Sequence, residues 1–109
     1  MTVIKIKPLS VNKAWKGRRY KTQEYKNYEK TLLWTLPRIK IPDPPYFISY
    51  IFGFSSSLSD ADNPVKPFQD VISKKYGFND KLIKKFLVEV KDVKKGEEFV
   101  EFKIETLKK

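Results

Sequence analysis

The sequence predicts an α+β fold, a small mixed β-sheet of about four strands with two main helices in the order β-α-β-α-β-β. Three observations carry this. The nine-residue run from Tyr46 to Phe54 is apolar on both faces, as a strand in the interior of a sheet is. Two segments repeat apolar residues at three- and four-residue spacing, Tyr25, Tyr28, Leu32 and Leu36 in one and Val65, Phe68, Ile72 and Tyr76 in the other, which is the helical period. Near the C-terminus Val100, Phe102 and Ile104 alternate with Glu101, Lys103 and Glu105, the pattern of a strand with one solvated face. A chain of 109 residues with 40% hydrophobic content is expected to form one domain, 1–109, with a modest core.

In chain order, Val3 to Lys7 alternates as a short strand over residues 2–7, which Pro8 ends. Between residues 9 and 21 five cations, Lys13, Lys16, Arg18, Arg19 and Lys21, interleave with Trp15 and Tyr20 around Gly17. Such a loop can grip phosphates and offer aromatic faces to bases. The alternative is that the rings pack on the core and the cations are simply solvated; we expect the rings to be mostly structural and two or three of the cations to touch DNA. Thr22 caps a helix over 22–36 that Pro37 stops, with Lys26 and Lys30 on its outer face. A proline-rich connection follows, then the central strand, in which Gly53 marks a bulge or a close backbone approach. The second helix starts at Asn63 or, because proline disfavours helical geometry at Lys66, at Pro67; it ends at Tyr76 with Gly77 as its stop. Strands over 83–93 and 99–105 are expected to pair as a hairpin through Lys94-Lys95-Gly96-Glu97.

Charge is unevenly spread. The formal net charge is +10; residues 1–40 hold eleven Lys or Arg against Glu24 and Glu29, a balance of +9, and the remainder holds twelve against eleven. This polarity points to a polyanionic partner, nucleic acid before membrane, because the sequence has no basic amphipathic anchor and no apolar run of bilayer length. The absence of Cys excludes disulfides and thiol catalysis. The N-terminus alternates too soon for a signal peptide, which makes a cytoplasmic location the default expectation.

Asp60 and Asp62 follow the central strand with one residue between them. In an extended segment they share a face, and two such anions ~4 Å apart repel by about 4 kcal/mol at an effective dielectric near 20, so a cation is expected between them. With neither His nor Cys in the chain only oxygen ligands remain, which suit Mg²⁺, with Mn²⁺ as a substitute, better than Zn²⁺. Lys66 lies four positions beyond Asp62 and faces the same cluster if the helix starts near Asn63, where it could bind a phosphate and stabilise the charge that builds during displacement. The same residues are also an ordinary helix start, with Asn63 as cap, Pro64 at the first position and acidic side chains favoured by the helix dipole.

Four motifs, Pro8-Leu9-Ser10-Val11-Asn12, Gly17-Arg18 before a helix cap, Asp60-x-Asp62-Asn63-x-x-Lys66-x-x-x-Asp70 and Gly77-Phe78-Asn79-Asp80, together resemble the RusA-type Holliday-junction endonucleases, small homodimers often encoded by prophages. The resemblance covers most of the chain. It implies Mg²⁺-dependent resolution of four-way junctions in recombination and repair by paired nicks, with Asp60, Asp62 and Asp80 as metal-holding carboxylates, Lys66 as the catalytic lysine, and Asp70 and Asn63 in support. Some relatives carry basic residues just before the first Asp, where this chain has serines. Geometry adds an expectation. A helix over 64–76 runs ~20 Å away from Asp62, and residues 77–80 recover at most ~14 Å, so Asp80 is expected to complete the site of a partner subunit. Asp70 lies ~12 Å along the helix from Asp62 but one turn from Lys66; it either orients that lysine or is a solvated surface aspartate. The rival readings are a non-catalytic basic DNA-binding protein and a nuclease for other branched DNA or for RNA.

Overall fold

A computed structural model of the chain describes residues 1–16 (for Lys16 the backbone alone), 20–55 and 64–108. In order, the elements are β1 (Thr2–Ile4), α1 (Val11–Ala14), β2 (Trp15–Lys16), β3 (Tyr20–Lys21), α2 (Gln23–Thr35), β4 (Tyr46–Phe54), α3 (Val65–Tyr76), a 3₁₀ turn (Asp80–Leu82), β5 (Ile83–Asp92) and β6 (Phe99–Thr106). The fold is α+β, as the sequence predicts. The main sheet has the order β1-β6-β4-β5, and β2 and β3 form a separate two-residue pairing.

β4 is an interior strand, paired along both edges, and its apolar residues lie on both of its faces. Ile48, Tyr50 and Phe52 are fully buried beneath the helices, and the opposite face, with Phe47, Ser49 and Ile51, is half-buried. Thr22 caps α2 by accepting from the Tyr25 amide, and Tyr25, Tyr28 and Leu32 seat the helix on the core. α3 contributes Val65, Phe68, Val71 and Ile72; Tyr76, expected to be buried, is half-exposed and donates its hydroxyl to the Pro37 carbonyl at 2.7 Å. At Gly53 the close approach is real. A methyl group there would sit 2.5 Å from the Phe99 ring, which lies over the glycine from the neighbouring strand.

One pairing differs from expectation. β5 and β6 do not form a hairpin, because β4 lies between them, parallel to β5 and antiparallel to β6. The turn itself is present. The Glu97 amide donates to Lys94 O at 2.9 Å and Gly96 has φ of 93°, but the connection crosses over the end of β4, pinned by the Val93 amide on Phe54 O at 2.8 Å. Two apolar faces gain more from an interior position than a direct β5–β6 pairing would return, and a turn signal carries no information about which strand is inserted. The first strand is also shorter than expected, Thr2–Ile4, and the basic segment contains α1, capped by Ser10, which accepts from the Asn12 amide.

The two long helices are tied by Glu29, which accepts from Lys21 at 3.0 Å and from Lys74 at 3.2 Å. Burial opposes the charge of Glu29, but hydrogen bonds from Lys21 and Lys74 outweigh it and hold the carboxyl below its ordinary range. A depressed carboxylate contributes stability above its unfolded pKa and loses it as pH falls through the folded one. Glu29→Gln is therefore expected to cost about 1 kcal/mol near neutral pH. The gap to wild type should close as the pH drops below the ordinary carboxylate value, read by urea denaturation at about pH 7 and about pH 3.

Candidate active site

Lys66 is the second residue of α3, whose N-cap position is held by Pro64 with no side-chain cap. Regular helix begins before Pro67, contrary to the later of the two expected starts. A proline in the first turn lacks only an amide that has no intrahelical partner anyway, and here the Pro67 ring is buried.

The Lys66 ammonium stands between two carboxylates, 2.9 Å from Asp70 Oδ1 and 3.7 Å from Asp80 Oδ2. Asp70 sits one helical turn along, the spacing at which side chains meet. Asp80 arrives from the other direction. Gly77 adopts the left-handed conformation, φ 71°, that ends α3, and Asn79 accepts from the Lys81 amide to start the 3₁₀ turn that presents Asp80. Across the turn, Lys66 meets Asp80 of its own chain. The distance from Asp80 to Asp60 and Asp62, on which the expectation of a shared site rests, falls outside the described residues. Asp60, Asp62 and Asn63 lie outside the described residues. Among the described residues no group of three or more His, Cys, Asp or Glu gathers.

The electrostatics favour a fixed cation. The hydrogen bond that Lys66 donates to Asp70 raises its pKa above the ordinary lysine value; partial burial opposes this, and the charges of Asp70 and Asp80 add to it. Such a lysine is a charge donor and not a base. Behind Asp70 stand two phenols, both raised by burial first and by the Asp70 charge second, Tyr25 to about 12 and Tyr50 also upward. Tyr50 donates to Gln69 Oε1 at 2.7 Å. Both phenols are neutral donors at physiological pH. Their placement beside Asp70 has no local signal in the sequence, since Tyr25 lies on α2 and Tyr50 on β4.

Of the five cations among which two or three are expected to touch DNA, Lys13 is exposed, and its carbonyl accepts from the Thr22 hydroxyl at 2.7 Å. Lys21 is engaged by the fold, paired with Glu29 at 3.0 Å and over the Tyr25 ring at 5.2 Å. The Lys16 side chain, Arg18 and Arg19 lie outside the described residues. Trp15 is structural, edge-on to Tyr25 with ring centroids 5.5 Å apart, whereas Tyr20 is exposed rather than packed. Trp34, which sequence reasoning passed over, is also exposed, on the α2 face that carries Lys26 and Lys30 at four-residue intervals.

Compared with protein-family models and with curated proteins, the chain matches none. No described helix is long and apolar enough to cross a membrane.

Proposed function

We propose that the protein is a Mg²⁺-dependent, structure-specific endodeoxyribonuclease that resolves four-way junctions by paired symmetric nicks, acting as a cytoplasmic homodimer. The observation that carries the reading is the Lys66 ammonium held between Asp70 and Asp80, residues of the very motifs that resemble the RusA-type endonucleases. The excess positive charge of residues 1–40 supports a polyanionic substrate.

The donor set suits a hard divalent ion. Asp80 engages Lys66 through one oxygen at 3.7 Å and is about one-third exposed, so its carboxylate retains capacity for a ligand, and Asp60 and Asp62 would supply the rest from a chain without His or Cys. When bound, Mg²⁺ supplies activation of water and neutralisation of phosphoryl charge. Lys66, kept protonated, places its positive charge on the phosphate as negative charge builds on the oxygens. Asp70 holds that ammonium in place, and Lys13 with its neighbours positions the DNA backbone.

The test is incubation of a labelled four-way junction with Mg²⁺ and with EDTA, alongside a flap and an RNA duplex. Paired nicks in the junction with Mg²⁺ alone are expected. Binding without cleavage under both conditions would instead identify a non-catalytic DNA-binding protein.

A further inference from the structure

We propose that two copies of this chain join through the outer edges of their β5 strands, in antiparallel register centred on Leu87, forming one continuous eight-stranded sheet. This gives the dimer of the proposed function a surface, but it rests on the strand and not on nuclease activity.

β5 is the last strand of the sheet. It runs for ten residues, and most of its length is exposed. Among the described residues no strand pairs with its outer side. Phe86 is 54% and Leu87 59% exposed, and Leu82, just before the strand, is 36% exposed. A long edge with adjacent large apolar side chains and a row of free amides and carbonyls is a template for another strand.

The sequence of the strand says which. Register with β4 puts Phe86 and Val88 on the helix-bearing face, with Ile48 and Tyr50, and Lys85, Leu87 and Glu89 on the open face, with Phe47, Ser49 and Ile51. Two antiparallel edges related by a two-fold axis perpendicular to the sheet keep each residue on its own face, so only pairings between residues of like parity are allowed. Centred on Leu87, that residue meets its own copy, Phe86 meets the partner's Val88, and Lys85 meets the partner's Glu89, each of the last two contacts occurring twice. Centred on Val88, Lys85 would oppose the partner's Lys91 and Leu87 the partner's Glu89. Centred on Phe86, Lys85 would oppose the partner's Leu87. Over residues 85–89 the first register alone joins apolar to apolar and opposite charge to opposite charge; beyond them it sets Lys84 against the partner's Val90 and Ile83 against the partner's Lys91. The present partners of these charges are weak and exposed: Glu89 faces Lys91 at 3.6 Å and Lys85 lies 5.0 Å over the Phe47 ring.

This register also orients the candidate sites. The perpendicular two-fold puts the helices of both copies, and so both Lys66–Asp70–Asp80 groups, on one side of the joined sheet, and it sets the partner's Asp92 opposite Leu82, two residues from Asp80. Both sites would then face the same substrate.

Three measurements on the full chain decide the matter, none using DNA or metal. Sedimentation at tens of micromolar is expected to show a dimer. The chain has no native Cys, so Leu87→Cys reports one self-contact. Directly opposed strand positions have Cα atoms ~4.5–5.5 Å apart, within disulfide range, and mild oxidation should crosslink this variant. Glu89→Cys, displaced from its own copy by four residues or ~13 Å, should stay uncrosslinked. Lys85→Glu is expected to weaken the dimer about tenfold, and the double variant Lys85→Glu with Glu89→Lys to restore it. A monomer at these concentrations, crosslinking of Glu89→Cys as fast as Leu87→Cys, or a double variant as weak as the single one would each overturn the proposal. A dimer that leaves junctions uncut would refute the nuclease reading alone.

Discussion

Lys66→Met is expected to reduce Mg²⁺-dependent cleavage of a four-way junction by ~10²–10³-fold, the usual cost of removing one donor aimed at developing charge. Methionine keeps the length and apolar stem of the side chain, so the loss is that of the ammonium. Stability should change by no more than about 0.5 kcal/mol, because the lysine is more than half exposed and its pairs with Asp70 and Asp80 are screened. Junction binding in EDTA should be little affected, since one phosphate contact among several is removed. Single-turnover cleavage separates the chemical step from binding, and a variant cleaving at the wild-type rate would remove Lys66 from the reaction. The prediction is sharpened by the state of the lysine. Asp70 and Asp80 keep it protonated, so its contribution should be flat across neutral pH and should not appear as a titrating base in the rate profile.

Phe68→Ala is expected to cost ~3–5 kcal/mol of stability, the range for truncating a buried aromatic ring. The Phe68 side chain is fully buried. It meets three rings edge-on, with centroid distances of 6.1 Å to Tyr50, 6.0 Å to Phe52 and 5.4 Å to Phe102. It thereby fastens α3 to both β4 and β6. A small domain has ~5–15 kcal/mol in total, so this variant stands close to unfolding. Its consequence reaches the candidate site, because Lys66 and Asp70 flank Phe68 on the same helix and lose their platform with it. Urea denaturation measures the loss, and Trp34→Ala, a change at a side chain 83% exposed, serves as the contrast with an expected effect within about 0.5 kcal/mol.

Much of the fold was legible before any coordinates. The cap at Thr22, the buried stripe Tyr25, Tyr28, Leu32 and Leu36, the full extent of β4 and the stop at Gly77 all appear as read from the sequence. These features are local: capping side chains, helical spacing and left-handed glycine act within a few residues. The β5–β6 hairpin failed for the opposite reason. Its turn is local and present, but pairing is a competition among strands far apart in sequence, and β4 won the interior place. The candidate site divides in the same way. The Lys66–Asp70 pair follows from one helical turn, whereas the meeting of Lys66 with Asp80, and the effect of the Asp70 charge on Tyr25 and Tyr50, needed the packed chain.

By itself the sequence determined the class of fold, the limits of α2 and the stop of α3, the interior place of β4, the concentration of positive charge in residues 1–40 and the oxygen-only donor chemistry, because each is a property of residue type and short-range spacing. Only the tertiary structure decided the strand order, the engagement of Lys21 by Glu29 and the arrival of Asp80 at Lys66 within one chain. Those outcomes depend on how elements compete to bury apolar faces, and on how far a flexible side chain reaches once they have done so.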